Sequence, residues 1–128
     1  MKFNLEQSKL LYEVRYKVPG DKESYTYEML YRNKDGKYFM HFEGGKYSEY
    51  AVKIGMHDYK PRSGNYFIDR GDIGVWKVVS QKMQEERPNK YMIIDWEKEE
   101  QERILEEKKQ NDDFIMEISR LSEAELPF

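Results

Sequence analysis

The two histidines, His41 and His57, are the first residues to consider for chemistry, because the chain contains no cysteine. Without cysteine there is no thiol nucleophile, no Cys-based zinc site and no disulfide framework. His57 precedes Asp58, which could orient its imidazole as a general base, but adjacent side chains rarely reach one substrate together. His41 is predicted to lie beside Glu28 on the charged, solvated face of a strand, where a surface hydrogen-bonding role explains it better.

Other catalytic signals in the sequence are weak. The motifs GxSxG, HExxH, GxxxxGK[ST] and GxGxxG are all missing from the sequence. Asp69 and Asp72 flank Arg70-Gly71 and offer oxygen ligands for a hard cation, but they are too few for a closed site. Turn and N-cap roles explain them better. We therefore predict no catalytic residue, no metal and no cofactor, and we lean against an enzyme. A small-ligand or catalytic site within residues 55–72 stays an alternative.

A set of basic and aromatic residues could bind nucleic acid. Single-strand-binding proteins stack bases on aromatic rings of an open sheet and place the phosphates along a basic groove. The Tyr-rich face of the predicted sheet is the only continuous apolar face available to the core, so most of its rings should be packed. A single-stranded nucleic-acid-binding module therefore stays an alternative, centred on residues 55–65, which the turn-rich sequence predicts to be a surface loop before a possible short strand at residues 66–69. Its candidate residues are Arg32, Lys37, His57, Tyr59, Lys60 and Arg62.

Acidic residues are concentrated near the end of the chain. Residues 1–94 carry 17 Lys and Arg against 13 Asp and Glu, a charge of +4, whereas residues 95–128 carry 5 against 12, a charge of −7. Such a run on a helix is commonly a solvated face, but aligned carboxylates can also imitate a phosphate backbone or meet a basic protein. We predict that the partner-binding residues are Glu99, Glu100, Glu102, Glu106, Glu107, Asp112 and Asp113.

These features predict a non-enzymatic binding or regulatory protein whose acidic helix engages a basic surface of a partner protein. An inhibitor of a nucleic-acid-binding protein is one form of this hypothesis. A monomer and a homodimer formed through the C-terminal helix both stay open. The mean hydropathy is −1.01, and no run approaches the about 18 apolar residues that a membrane span requires. With no apolar leader and no cysteine, we expect no membrane partner and a cytoplasmic location.

The elements that must position these residues begin with a predicted sheet. Residues 10–18, 25–32, 37–43 and 46–54 alternate in polarity with the period of a strand. Asn33 to Gly36 suits a four-residue hairpin loop that places Tyr31 opposite Tyr38 and Met29 opposite Met40, and Gly44-Gly45 suits a two-residue turn. We expect a four-stranded antiparallel meander whose Tyr-rich face is buried.

Helices are predicted in the second half of the chain. Asp72 suits the N-cap of a helix over residues 73–86, which ends before Pro88. Residues 90–96 are either a fifth strand or the lead into a long acidic helix that starts at about Asp95, and Asn111-Asp112 could divide that helix in two. The predicted fold class is therefore α+β, with a four-stranded antiparallel meander packed by one helix and followed by a long acidic C-terminal helix. The body is residues 1–94 and the helical tail is residues 95–128.

Overall fold

The fold consists of antiparallel β-sheet and two helices. The computed structural model describes the backbone of residues 3–125 and the side chains of residues 3–116. The strands are β1 (Lys9–Val18), β2 (Asp21–Arg32), β3 (Tyr38–Gly44), β4 (Val52–Lys53), β5 (Tyr59–Lys60), β6 (Arg62–Phe67) and β7 (Tyr91–Ile94). The helices are α1 (Arg70–Glu86) and α2 (Trp96–Glu125). The predicted α+β class, with a helix on an antiparallel sheet and a long C-terminal helix, is confirmed.

Five strands form the main sheet, in the order β6-β3-β2-β1-β7, and β4 and β5 form a separate two-stranded sheet. All described pairings are antiparallel. The segment at residues 90–96, which the sequence left between strand and helix, forms β7 and extends the sheet beyond β1. The main sheet therefore has one strand more than predicted.

The predicted fourth strand, residues 46–54, is wrong. Instead of turning back along β3, the chain crosses to the start of β2, where Gly45 N donates to Tyr25 O at 3.0 Å and Tyr47 N donates to Glu23 O at 3.2 Å. A Cβ atom at Gly45 would overlap the carbonyl oxygen of Glu23. The second glycine therefore permits a close backbone approach rather than a hairpin turn. The place beside β3 is taken by β6, whose first four residues lie in the stretch that the sequence assigned to a loop.

The turn between β2 and β3 differs from the prediction by one residue. Asn33 N donates to Lys37 O at 2.9 Å, and Asn33 Oδ1 accepts from the backbone amides of Asp35 and Lys37 at 3.0 and 2.9 Å. Asn33 and Lys37 therefore close a three-residue loop, with Gly36 at φ 80° in the left-handed region. Tyr38 consequently pairs with Arg32 and not with Tyr31.

This shift exchanges the two faces of β2, because a slip of one residue turns every side chain of a strand over. Leu30 and Glu28, not Met29 and Tyr27, lie on the same face as the buried Met40. The predicted single Tyr-rich core face is therefore wrong. Tyrosines stand on both faces of the sheet.

The core lies between the sheet and α1. It consists of apolar side chains from three central strands and the first turns of the helix: Leu11, Tyr12, Val14, Leu30, Met40 and Ile73. Burying a side chain of this size contributes about 1.5–3 kcal/mol to folding. Trp76 of α1 packs against this cluster and meets the ring of Tyr12 edge-to-face at 5.3 Å.

Helix α1 begins three residues earlier than predicted. Asp69 is the N-cap, and its Oδ1 accepts from Asp72 N at 2.8 Å, so Asp72 lies within the first turn. A carboxylate at this position satisfies one of the amides that the first turn leaves unpaired. The helix ends as predicted, where Arg87 N donates to Met83 O at 2.9 Å just before Pro88.

Helix α2 is continuous for 30 residues, so Asn111-Asp112 does not divide it. Internal contacts divide the chain into two units, Met1–Trp96 and Glu97–Phe128. No helix within the described residues is long and apolar enough to cross a membrane.

Candidate functional site

The acidic residues predicted to bind a partner all lie on α2. Six of the seven have exposed side chains. The seventh, Glu100, is less exposed and is already engaged in an interaction. At 3.6 residues per turn, Glu99, Glu102, Glu106 and Asp113 fall within about 60° of one another around the helix axis. Four carboxylates therefore share one acidic face, whereas Glu107 and Asp112 lie elsewhere on the helix.

Apolar side chains on the same helix are also exposed. Ile104, Leu105, Phe114, Ile115 and Met116 are each between 52% and 66% exposed. Two of them, Ile104 and Ile115, lie on the side of the helix opposite the acidic face, and Phe114 lies between that side and the acidic face. A helix that does not bury its apolar side chains gains little stability from packing. An exposed apolar stripe of this kind is typical of a surface that a partner covers.

A shallow groove runs along this stripe. Its volume is about 560 Å³, and its lining includes Ile104, Asn111 and Phe114 together with the polar Glu107 and Lys108. The stripe therefore offers two apolar contacts separated by a polar middle.

The six alternative nucleic-acid-binding residues do not form one site. Arg32 and Lys37 flank the β2–β3 turn at one end of the sheet, whereas Arg62 pairs with Gly44 at the other end of β3. The length of β3 separates these ends by roughly 20 Å at about 3.3 Å per residue. His57 lies in the turn between β4 and β5, and both strand residues that follow, Tyr59 and Lys60, are exposed.

The stretch at residues 55–65 is therefore not one surface loop, as the sequence predicted. It contains the end of a small hairpin and most of an edge strand. Arg62 is used within the fold, since its guanidinium carbon lies 5.1 Å from the centre of the Phe42 ring. Backbone pairing, which residues 62–67 make with β3, overrode the local turn signals of proline and glycine.

The end of the sheet near Lys37 contains two neighbouring cavities, of about 430 and 680 Å³. Both cavities are lined by Lys37 and Phe67, which stand between them. Arg70, at the start of α1, and Tyr38 line the larger cavity. Sequence reasoning found Lys37 but missed Arg70 and Phe67, because it interpreted the Arg70-Gly71-Asp72 stretch only as a turn and cap.

A partly buried polar cluster lies between the sheet and α1. Glu28 Oε2 accepts a hydrogen bond of 2.7 Å from the hydroxyl of Tyr50, whose ring stacks on Phe42 at 4.3 Å. Burial raises the pKa of Glu28 above its usual range, although the Tyr50 hydroxyl and the nearby Trp76 indole partly oppose this. The Trp76 N–H does not reach hydrogen-bonding geometry with any described partner.

Burial and the neighbouring Glu28 carboxyl together raise the pKa of the Tyr50 hydroxyl far above its usual value. The pKa of Tyr66 is raised by burial and by Glu28 as well. Both tyrosines therefore stay protonated at any ordinary pH, and Tyr50 donates its proton to the hydrogen bond with Glu28. The hydrogen bond and the ring stack join Tyr50 to strands β2 and β3, so the cluster is best explained as structural.

A second buried carboxylate, Glu13, lies on the opposite face of the sheet and is only 2% exposed. It accepts hydrogen bonds from Arg15 Nε and, at 3.1 Å, from Trp96 Nε1. Two donors and one positive charge offset the cost of burying this carboxylate. The pair holds the start of α2 to β1 within the first unit.

His41 points away from Glu28, contrary to the prediction that the two are neighbours on a charged face. Its Nδ1 lies 2.9 Å from Asn65 Oδ1, and its Nε2 lies 3.5 Å from Glu43 Oε1. The shifted pairing of β2 explains the difference, because it moves Glu28 to the α1 side. A surface hydrogen-bonding role for His41 remains the best interpretation.

Comparison with known proteins adds no further information about this site. No family model matches the chain, and neither the curated proteins nor the solved structures include a match to it.

Proposed function

We propose that this protein is a non-enzymatic binding protein whose helix α2 binds a partner protein with a basic surface. The observation that carries the proposal is the exposure of five apolar side chains on the helix that also carries the acidic face. Neither feature alone is informative, since charged helices and single exposed apolar residues are common. Together they resemble the way an amphipathic helix presents itself to a groove on another protein.

The chemistry of α2 specifies what such a partner offers. Ile104 and Ile115 are 11 residues apart, and each requires an apolar contact on the partner. The acidic face of Glu99, Glu102, Glu106 and Asp113 needs lysines or arginines along one border of that groove. Charge complementarity of this kind mainly accelerates association and selects the partner. Apolar contact then limits dissociation.

A finer form of the proposal is that the partner binds nucleic acid and that α2 blocks its binding surface. The acidic face extends from Glu99 to Asp113, a rise of 14 residues or about 21 Å at about 1.5 Å per residue. Carboxylates at such intervals could occupy a surface that otherwise contacts phosphates. This form predicts competition between the protein and DNA or RNA for the partner.

Charge reversal on the acidic face tests the proposal. The test variant combines Glu99→Lys, Glu102→Lys, Glu106→Lys and Asp113→Lys, and leaves out Glu100 because that side chain is already engaged. We expect the protein captured from a native extract by wild type to be retained at least about tenfold less. Binding of that purified protein should also weaken as salt is raised from 0.05 to about 0.5 M, because screening shortens the reach of exposed charges.

A matched control changes the same net charge elsewhere. It combines Glu6→Lys, Glu23→Lys, Glu85→Lys and Glu86→Lys, all at exposed side chains. Circular dichroism at 222 nm verifies that α2 is still helical in both variants. Equal retention by the test and control variants would reject α2 as the binding element.

The apolar stripe is tested separately. Ile104→Gln together with Phe114→Gln should weaken capture even at high salt, where the charge contribution is screened. If the partner binds nucleic acid, adding wild-type protein should displace a labelled oligonucleotide from it. If both apolar substitutions leave capture of the partner unchanged, the helix binds through charge alone.

A further inference from the structure

The two cavities beside Lys37 form a continuous surface around the β2–β3 turn. The smaller, of about 430 Å³, is lined by polar side chains, including Asn4, Gln7 and Asn33. The larger, of about 680 Å³, is lined by Tyr38, Phe67 and Arg70. Cavities of this size accommodate small ligands or single nucleotide units. Their shared wall, Lys37 and Phe67, makes them adjacent subsites rather than separate depressions.

Two cations lie over aromatic rings in the larger cavity. Lys37 Nζ is 6.0 Å from the centre of the Phe67 ring, and Arg70 Cζ is 6.0 Å from the centre of the Tyr38 ring. Both distances are at the outer limit of a cation–π contact. Within residues 3–116, neither cation forms an ion pair with a carboxylate. Their charges are therefore not neutralised by the described part of the fold.

The Phe67 ring is 45% exposed although one side of it is packed. Phe3 lies 4.7 Å from it, centre to centre, and also meets Phe39 edge-to-face at 5.4 Å. These contacts fix the orientation of Phe67. A rigid, partly exposed ring beside unneutralised cations is the arrangement on which single-strand-binding proteins stack a base and hold its phosphate.

Amide groups in the smaller cavity add polar donors. The side-chain oxygen of Asn33 already accepts from two backbone amides of the turn, and that of Asn4 accepts from Gln7 N at 3.3 Å. Their NH₂ groups are what these side chains can still offer to a ligand. Such donors match the oxygen and nitrogen acceptors on the edge of an unpaired base.

Carboxylates limit the affinity of this surface for anions. Asp35 lines the smaller cavity and Asp69 the larger, against the positive charges of Lys34, Lys37 and Arg70, so the linings carry a net charge of +1. Asp69 is already held by its hydrogen bond to Asp72 N. A short stretch of a single strand that places a planar ring and only one or two phosphates on the surface suits this balance.

We propose that this surface binds a short single-stranded stretch of nucleic acid, with one base stacked on Phe67 and its phosphates held by Lys37 and Arg70. The neighbouring base occupies the amide-lined cavity. The site is distinct from α2 and does not depend on the function proposed for that helix. It also differs from the stretch at residues 55–65 that the sequence gave as an alternative site, although Lys37 belongs to both sets of residues.

Fluorescence anisotropy with a fluorescein-labelled ten-nucleotide oligothymidine or oligouridine tests the proposal on the full chain. Two phosphate contacts predict that the logarithm of the association constant falls with the logarithm of salt concentration with a slope of about −1.4. Raising salt from 0.05 to 0.5 M should then reduce affinity about 25-fold. A decaglutamate peptide competes for charge alone and should bind much more weakly. Equal binding of that peptide would overturn the proposal.

Variants at the shared wall separate stacking from charge. Phe67→Leu keeps an apolar side chain against Phe3 and should weaken binding at least about fivefold, with the salt slope unchanged. Lys37→Gln and Arg70→Gln should each reduce the slope by about 0.7. Asp69→Asn retains a good N-cap residue while removing a negative charge from the cavity. It should strengthen binding.

Matched controls come from the small hairpin. Tyr59→Leu and Lys60→Gln change an aromatic residue and a lysine on exposed strand β5 and should leave affinity unchanged. Thermal unfolding of each variant verifies that the fold is intact. A loss of affinity in the Tyr59→Leu or Lys60→Gln variant would overturn the proposal. Failure of the oligonucleotide to bind the wild-type protein at 0.05 M salt would overturn it as well.

Discussion

Replacing Tyr50 with Phe removes the hydroxyl that donates a 2.7 Å hydrogen bond to Glu28 Oε2. The change leaves the ring in place against Phe42, so the packing is preserved. A hydrogen bond to an ionised group contributes about 1.5–3 kcal/mol and one between neutral groups about 0.5–1.5 kcal/mol. Tyr50 is only partly buried, so we take the lower part of each range. The expected cost is about 1.5–2 kcal/mol when Glu28 is ionised and about 0.5–1 kcal/mol when it is protonated.

The pH dependence follows from the raised pKa of Glu28. A carboxyl whose pKa is raised on folding contributes stability that is fully present below the unfolded pKa, near 4.3, and is lost as the pH rises through the folded pKa. Removing the Tyr50 hydroxyl raises the folded pKa of Glu28 further, because that hydroxyl stabilises the ionised form. The cost of Tyr50→Phe should therefore be larger at pH 8 than at pH 4.

Urea unfolding followed by the fluorescence of Trp76, which packs beside Glu28, measures this cost. With a slope of about 2 kcal/mol per M, the midpoint should fall by about 0.8–1 M at pH 8 and by about 0.3–0.5 M at pH 4. In a Glu28→Gln background the cost should stay at the lower value at both pH values. An equal cost at both pH values and in both backgrounds would refute the role assigned to the Glu28 charge.

Further stability measurements test the register, the buried charge and the helix cap. Leu30→Ala should destabilise the fold by about 2–4 kcal/mol, and Met29→Ala clearly less, in chemical unfolding; the reverse order would favour the register predicted from sequence. Glu28→Gln should stabilise the fold at pH 8 by about 1 kcal/mol, because it removes a charge that burial disfavours, and this gain should disappear toward pH 4. Asp69→Ala should cost about 1 kcal/mol through loss of the N-cap, whereas Asp72→Ala should cost less in the same thermal-unfolding assay.

Turn chemistry shows how far local sequence signals reach. Gly36 in the β2–β3 turn was identified from its neighbours alone, because a left-handed residue is strongly restricted to glycine. The same signals did not decide between three and four loop residues. Asn33 decided it by accepting two backbone hydrogen bonds with its side chain. A difference of one residue was enough to move Glu28 and Leu30 to the core face.

The glycine pair at residues 44 and 45 shows a limit of a different kind. Both a tight hairpin turn and a close approach between backbones favour glycine, so the residue type alone does not separate them. The contact that decides the outcome joins Gly45 to Glu23 and Tyr25 of another strand. A sequence window around residue 45 does not contain that information.

The candidate sites divide in the same way. The acidic face of α2 could be predicted from the sequence because its carboxylates lie on one helix, where their spacing determines their positions around the helix axis. The cavity surface could not be predicted from the sequence, since Lys37 lies in a turn, Phe67 in an edge strand and Arg70 at the start of a helix. These residues become neighbours only when β6 pairs with β3.

The sequence by itself determined the class of fold, the long acidic helix, the end of α1 and the separation of charge between the two parts of the chain. Each of these depends on residues within a few positions of one another. Tertiary structure alone decided which strand pairs with β3, which face of the sheet each side chain of β2 occupies, and that Lys37 and Arg70 line the same cavity. Those outcomes depend on hydrogen bonds and packing between distant segments, whose energies no local pattern specifies.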